Sequence, residues 1–407
     1  MAIVYAGFAA TFGVNGYLTR HLDLDGLGDF RVAISIASIA AAIVIFGGQA
    51  AAGRFIPQYL STEQWGKAKG FIKHYLKIAL MLGGAATVVS LLAASAFDYF
   101  GMRHLMHESL FAIVITPIIA VSLFFGSIIQ SMHRPVSAIL PSELLKPVLF
   151  LLGCILWLQI FPTFNDFEVI FIFFVVNLVV VTMQYYLLSH ALPFPFVGTA
   201  PVYDTSTWHK VSLPLLYSVM ANSFMVRIDV LALEIMHASE HEVGVFILLA
   251  FICSPVWMTF TSMNNVISPK IAELDGDKAG LKRLFGNSFK FLILSNLAVA
   301  ALIIVFADLI LNWFHGDLPT YKNWLYVLLA GSVVNCAIEV ASPFLRFGGH
   351  QDKSAKVASI ALMANLVVTP LGILLYGMEG AIIALVVMRF ARCMGYMYYA
   401  RKYVLRA

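Results

Sequence analysis

Charged side chains occur within stretches that are otherwise apolar, and they are the residues whose chemistry most needs an explanation. Arg227, Asp229 and Glu234 lie in the apolar stretch 211–234, and Arg389 lies near the middle of the last stretch. An ionised side chain costs about 3 kcal/mol at the centre of a membrane unless it faces a partner or a water-filled cavity. These residues are therefore candidates for a site inside the membrane.

Three arginines form the predicted cationic, substrate-binding site. A guanidinium is planar and always charged, so it matches phosphate and carboxylate groups with two parallel hydrogen bonds. Arg54 follows the segment GGQAAAG, whose small residues allow close helix packing, and it joins Arg227 and Arg389 in this prediction. The alternative for Arg227 is a structural ion pair or a position at the outer interface. Arg392 is instead expected to anchor its helix at the cytoplasmic interface.

The carboxylates Asp229, Glu234 and Glu339 are predicted to couple transport to an ion or to pair with a cation. Residues seven apart share a helix face, so Glu234 and Arg227 lie together, as do Glu339 and Arg346. The alternative for Glu339 is a simple ion pair at the cytoplasmic mouth of the protein.

Two prolines, Pro57 and Pro269, are each expected to end the second helix of one half of the chain, as a gate or as architecture. A basic segment follows each of them. The first, STEQWGKAKGFIKHYLK, is typical of an amphipathic helix on the inner membrane surface, where Trp65 and the lysines contact anionic lipids. Orientation of the chain by positive charge explains the same residues equally well.

The elements that position these residues are transmembrane helices. The chain has 407 residues, of which 60% are hydrophobic and 12% charged, and a run of about 20 apolar residues crosses a membrane as a helix. The apolar residues are continuous and do not alternate, which excludes a β-barrel. We predict an all-α polytopic membrane protein with about twelve spans. They are 2–19, 31–53, 75–97, 110–131, 143–161, 168–190, 211–234, 243–264, 288–311, 324–345, 356–376 and 380–399.

Basic residues are concentrated in alternate loops, notably those after the second and eighth spans, whereas the loops after the fifth, seventh and eleventh spans contain no Lys or Arg. Lys and Arg remain on the cytoplasmic side, so both termini are predicted to be cytoplasmic. The net charge of +4 comes mostly from these loops and does not indicate a nucleic-acid partner.

The halves of the chain resemble each other. A proline-containing segment at 191–210 divides the spans six and six, which predicts an N-terminal lobe 1–192, a cytoplasmic linker 193–210 and a C-terminal lobe 211–407. Short matches, such as Pro57 with Pro269, occur in the same order in both halves. Since six is even, the two lobes are related by a parallel repeat, with an axis along the membrane normal.

The sequence does not indicate an enzyme, a metal site or a cofactor. The four cysteines lie in separate apolar runs and form no CxxC motif. There is no P-loop and no GxSxG motif. A polytopic polysaccharide polymerase or ligase remains an alternative, but such enzymes are expected to carry a long outer loop.

The segments RFIPQYL, RIDVLAL and GMEGAIIALVVMRF, on twelve spans, resemble the multidrug/oligosaccharidyl-lipid/polysaccharide (MOP) flippase superfamily. The polysaccharide-transport, Wzx-type branch is most similar. The resemblance implies two lobes forming a V around a central cationic cavity, with alternating access. It carries Arg54, Arg227 and Arg389 over only as a type of site.

The resemblance further implies a flippase of the bacterial inner membrane. It would move undecaprenyl-diphosphate-linked oligosaccharide to the outer leaflet for surface polysaccharide biosynthesis. The implied partners are this lipid-linked substrate, membrane lipids and polysaccharide polymerase machinery. Arginines suit a diphosphate, but a cation-coupled multidrug exporter of the same superfamily is the alternative.

Overall fold

The computed structural model describes residues 2–100, 112–132, 134–161, 164–192, 196, 198–236, 239–274 and 277–405, and their regular structure is helical. Two π-helical turns, Leu140–Leu145 and Arg401–Leu405, and two 3₁₀ turns, Ile113–Ile115 and Leu318–Tyr321, accompany the α-helices. The α-helices are α1 (Ala2–His21), α2 (Asp23–Val44), α3 (Gly48–Ser61), α4 (Trp65–Tyr99), α5 (Thr116–Ser131), α6 (Pro135–Ile139), α7 (Lys146–Ile160), α8 (Asp166–Ala191), α9 (Thr205–Ile235), α10 (Glu240–Ile252), α11 (Ser254–Glu273), α12 (Lys278–Val305), α13 (Ala307–Phe314), α14 (Lys322–Glu339), α15 (Ala341–Phe347) and α16 (Gln351–Ala400).

Many of these helices are long and apolar enough to cross a membrane. Within the described residues there are eight such spans, or nine if the bent pair α10 and α11 counts as one more. The first and seventh predicted spans coincide with α1 and α9, which are not among the eight. The predicted class, an all-α polytopic membrane protein, is confirmed.

Helix α16 contains two of the predicted spans, because the chain reverses direction inside it. Gly377 has φ 59° and ψ −138°, a conformation open to glycine and strained for other residues. Gly380 returns so close to Gly372 that a Cβ on Gly380 would lie 1.9 Å from the Gly372 carbonyl oxygen. The arms 351–376 and 378–400 are therefore an antiparallel helical hairpin, as the spans 356–376 and 380–399 predict.

Replacing Gly377 with Ala is expected to lower the stability of the folded protein by about 2 kcal/mol, because the Cβ disfavours this backbone conformation. The new methyl group meets nothing closer than 3.9 Å, so the effect isolates backbone strain. Thermal unfolding of the detergent-solubilised protein measures it. Gly286→Ala is the control, since Gly286 is helical with open space around it. An equal melting temperature for both variants would contradict the strained turn.

The chain packs into two compact units, Met1–Arg227 and Ile228–Ala407, and the division falls within α9. The predicted lobes 1–192 and 211–407 and the linker 193–210 remain a prediction. Residues 193–195 and 197 of that linker lie outside the described residues.

Each unit has its own buried core. In the first unit, aromatic rings of α4 meet Trp208 of α9, and the Phe71 and Trp208 ring centroids are 5.5 Å apart, edge to face. In the second unit, Phe344 is fully buried and packs edge to face on Phe285 at 5.2 Å. These cores hold the helices that carry the charged residues.

The second helix is broken in each unit, and this corrects the prediction for the two prolines. The first break lies at Phe46 and Gly47, which have positive φ, and the second at Cys253, where the axis bends by 43°. Pro57 lies inside α3, and Pro269 lies inside α11. Neither proline ends its helix, since four more helical residues follow each of them, to Ser61 and to Glu273. The cost of an interior proline is therefore borne within a continuous helix.

The basic segment after α3 is not a separate surface helix. It forms the first turns of α4, which continues directly into the apolar span. The segment 199–208 packs against it: the Val202 amide donates to the Gly66 carbonyl at 2.8 Å, and a Cβ on Gly70 would lie 1.9 Å from the Val202 carbonyl oxygen. Trp208 Nε1 also donates to the Tyr59 hydroxyl at 2.9 Å. Glycines on one helix face thus allow this close docking.

Candidate functional site

The second unit contains a buried carboxylate and a half-buried guanidinium among its apolar helices. Asp229, near the end of α9, is 4% exposed, and its charge attracts that of Arg389 on the second arm of α16. The Thr369 hydroxyl, on the first arm, lies 3.5 Å from Asp229 Oδ1 and 2.7 Å from Asn365 Oδ1. The hydroxyl has a single proton, so the hydrogen bond from Thr369 to Asp229, at 3.5 Å, is at most a weak one.

The guanidinium of Arg389 rests on an aromatic face. Its Cζ atom is 5.1 Å from the centroid of the Trp257 ring, which α11 supplies. Such a cation–π contact holds the guanidinium in place while its N–H groups remain able to donate. Arg389 and Asp229 therefore provide a positive and a negative group that interact electrostatically within the second unit. Their role as a transport site remains a prediction.

The same unit also contains an ion pair between two side chains in direct contact. Arg392 Nη2 donates to Glu339 Oε2 at 3.3 Å, and the Cys393 thiol donates to the same oxygen at 2.9 Å. Only 7% of the Glu339 side chain is exposed. Sequence spacing paired Glu339 with Arg346, which instead lies exposed on the separate helix α15. Arg346 thus lies beyond the end of α14, which ends at Glu339.

This result also corrects the expectation for Arg392. Its side chain is 19% exposed and is held by Glu339, so it does not serve only as an interfacial anchor. The sequence analysis named Arg346 as the partner of Glu339, whereas the structure places Arg392 there.

Several buried polar atoms on these helices have no hydrogen-bond partner within the described part of the chain. They include Trp257 Nε1, Asn296 Nδ2, Asn335 Oδ1 and Arg392 Nε. Buried polar groups are nearly always paired, so unpaired ones at membrane depth indicate a place for water or a polar ligand. The second unit therefore offers donors and an acceptor beside its charges.

The first unit contains a basic cluster that the sequence analysis missed. Arg31 Nη2 donates to Oδ1 of Asn15, which is fully buried. Lys146 Nζ lies 6.0 Å from the centroid of the Phe173 ring, and its charge interacts with those of Arg31 and Glu143. A π-helical turn carries Glu143, and such turns often occur at functional sites.

The sequence analysis missed this cluster because it placed the starts of the two helices at the wrong residues. The span containing Arg31 was predicted to begin at residue 31, but α2 begins at Asp23 and places Arg31 about two turns inside. Likewise, Pro135–Ile160 is one span, so Lys146 lies well within it. Both helices begin eight residues earlier than predicted. Arg31 and Lys146, which the predicted boundaries place at the membrane interface, therefore lie inside their spans.

The remaining predicted site residues are less buried than Asp229 and Glu339. Arg54 is exposed on α3, with its Cζ atom 5.7 Å from the Phe55 ring centroid. Arg227 and Glu234 are half-buried on α9. Of the predicted residues, Asp229 is thus brought together with Arg389, and Glu339 pairs outside the set. Among the described residues, no group of three or more His, Cys, Asp or Glu side chains forms a metal site.

Comparison with known proteins gives matches of fold. No family model and no curated protein matches the chain. An inward-facing multidrug resistance MATE family transporter of the MOP superfamily aligns with a TM-score of 0.74 and 15% identity, over 97% of this chain and 98% of that one. A MATE protein in complex with MaL6 aligns with a TM-score of 0.67 and 16% identity, over 99% and 94% of the two chains.

A third similar structure is a MOP superfamily transporter from Pyrococcus furiosus, with a TM-score of 0.65 and 15% identity, over 99% of this chain and 94% of that one. Its description states that a reversed polarity of the binding pocket suggests a different function. These matches confirm that the chain has the fold of MOP superfamily transporters. The Wzx-type branch remains a prediction.

Proposed function

We propose that this protein is a membrane transporter that exports amphipathic organic compounds by alternating access, as a multidrug exporter. The observation that supports this most is the likeness of fold to a multidrug resistance MATE transporter over nearly the whole of both chains, at a TM-score of 0.74. All three structures compared above are described as MATE proteins or MOP transporters, which supports a transporter and not an enzyme.

The charges of the second unit suit ion-coupled export. Asp229 is buried and weakly hydrogen-bonded, so it can exchange a proton as its surroundings change. Protonation would remove its attraction for Arg389 and release that guanidinium for an anionic group of the substrate. The aromatic face of Trp257 would then contact the apolar part of the same compound.

The second candidate function is a flippase for undecaprenyl-diphosphate-linked oligosaccharide, with Arg54, Arg227 and Arg389 as its cationic residues. The specific observation in its favour is the positive charge inside the apolar helices, including Arg31 and Lys146 of the first unit. Guanidinium and ammonium groups would hold a diphosphate. For either function we propose that both termini lie in the cytoplasm and that the protein lies in a bacterial inner membrane.

Deleting the gene in its native host separates the two functions. We expect the deletion strain to accumulate severalfold more of a fluorescent amphipathic dye, to become more sensitive to such compounds, and to keep its surface polysaccharide. Dye accumulation and polysaccharide gels measure the two outcomes, and a plasmid-borne copy restores export. Loss of surface polysaccharide with unchanged dye accumulation would contradict the exporter and favour the flippase.

A further inference from the structure

An open groove lies on the first unit, at the boundary between the basic and the apolar parts of α4. It has a volume of about 490 Å³ and is lined by two lysines, three apolar residues of α4 and one tyrosine: Lys73, Lys77, Leu76, Leu80, Met81 and Tyr203. This size lies within the range of small-molecule sites. None of the residues discussed above for transport lines it.

The groove has a basic end and an apolar end. Lys73 and Lys77 are exposed and four residues apart, so both project from one face of α4. In the described part of the chain, neither forms an ion pair with a carboxylate. One turn further on, Leu80 is 50% and Met81 61% exposed. Unpaired positive charge therefore lies directly next to exposed apolar surface.

This order of residues matches the depth profile of a membrane. Beyond Lys77 the sequence IALMLGGAATVVSLLAASAF contains no charge before Asp98, so the hydrocarbon layer begins next to the lysines. The lysines consequently lie at the depth of lipid headgroups. The excess of basic loop residues places this end of α4 at the cytoplasmic leaflet.

Tyr203 completes the groove from a distant part of the sequence. It is 55% exposed and belongs to the segment that packs on α4 through the hydrogen bond from Val202 to Gly66. A contact between His74 and His209, with 2.9 Å between their Nε2 atoms, joins the same two parts of the chain. The groove is thus formed by two segments of the chain that pack against each other. Tyrosine is also a residue type that favours the membrane interface.

We propose that this groove binds one anionic phospholipid of the surrounding leaflet. Its phosphate lies between the ammonium groups of Lys73 and Lys77, and an acyl chain runs along Leu76, Leu80 and Met81. Tyr203 covers the glycerol region. The occupant is a lipid and not a soluble anion, because the apolar surface continues directly from the basic end. This site is independent of the transported substrate.

Native mass spectrometry of the full-length protein in detergent tests the proposal, with phosphatidylglycerol and phosphatidylcholine as probes. We expect retention of phosphatidylglycerol by the wild-type protein, and retention reduced by roughly thirtyfold in the Lys73→Gln, Lys77→Gln variant, from two removed surface charges. The Lys73→Arg, Lys77→Arg variant should retain the lipid. Phosphatidylcholine, which has no net charge, should be retained poorly by all variants.

The matched control is Lys278→Gln, Lys282→Gln. These lysines have the same spacing, are exposed, and begin α12 of the second unit. The two substitutions in this control should leave lipid retention unchanged. An equal loss in the control, or no loss in the groove variant, would overturn the site. Displacement of the lipid by inorganic phosphate at equal concentration would also overturn the proposal, since it would identify a free-anion site.

The apolar end of the groove is tested by the Leu80→Gln, Met81→Gln variant, which should retain less lipid. Unchanged lipid retention by this variant would refute the acyl-chain contact.

Discussion

Replacing Glu339 with Gln is expected to destabilise the second unit by about 3 kcal/mol, because it leaves the Arg392 guanidinium without a counter-charge in a largely buried place. Glutamine preserves the size of the side chain, so the loss reports charge and not packing. The pair is close, at 3.3 Å, and Glu339 is 6% exposed. Unfolding of the purified protein in detergent, followed by temperature or denaturant, measures the difference.

Two further variants make this result specific. The double variant Glu339→Gln, Arg392→Met removes both charges and should recover most of the loss, because the cost comes from the unpaired charge. Asp308→Asn removes a charge from the exposed pair with Lys322, at 2.7 Å, and should change stability little or not at all. If Glu339→Gln is as stable as Asp308→Asn, the pair contributes nothing to the fold.

Replacing Asp229 with Asn is expected to abolish accumulation of substrate against a gradient while leaving the fold intact. Asparagine keeps the size of the side chain and the contact with Thr369, but it cannot take up or release a proton. Transport by the variant should fall to passive equilibration and lose its dependence on an imposed pH gradient. Substrate efflux from proteoliposomes with a pH jump measures both quantities.

Asp229→Glu is the informative companion to that variant, because it restores a titratable carboxylate and should restore part of the pH-driven transport. Asp308→Asn again serves as the control, since Asp308 is an exposed carboxylate outside the charged cluster. Undiminished pH-driven transport by Asp229→Asn would show that Asp229 is not the coupling residue.

Much of the fold was predictable because hydropathy and backbone chemistry act locally. Inside a membrane every backbone N–H and C=O group must be satisfied within its own segment, so a long apolar run becomes a helix. Helix boundaries were less predictable, since polar first turns extend beyond the hydrocarbon layer. The start of α2 at Asp23 and of α4 at Trp65 shows this, and it is why Arg31 was overlooked and the basic segment before the third span was assigned to a separate helix.

The helix breaks were predicted at the wrong residues for a related reason. Proline is a visible signal, but Pro57 fits inside α3, whereas the actual break lies at Phe46 and Gly47. A Cβ on Gly47 would lie 2.2 Å from the Ser212 carbonyl oxygen, so packing against a distant segment requires glycine there. No local sequence pattern predicts such a contact between distant segments.

The sequence alone therefore determined the class of the protein, the approximate number of its spans and some of the charged residues within its apolar stretches. These properties depend on composition along one helix at a time. Only the tertiary structure decided which side chains interact: Asp229 with Arg389, Glu339 with Arg392, and Arg31 with the neutral amide of Asn15. Partners on different helices depend on helix rotation and on interruptions such as Val340, and neither of these is encoded in residue spacing.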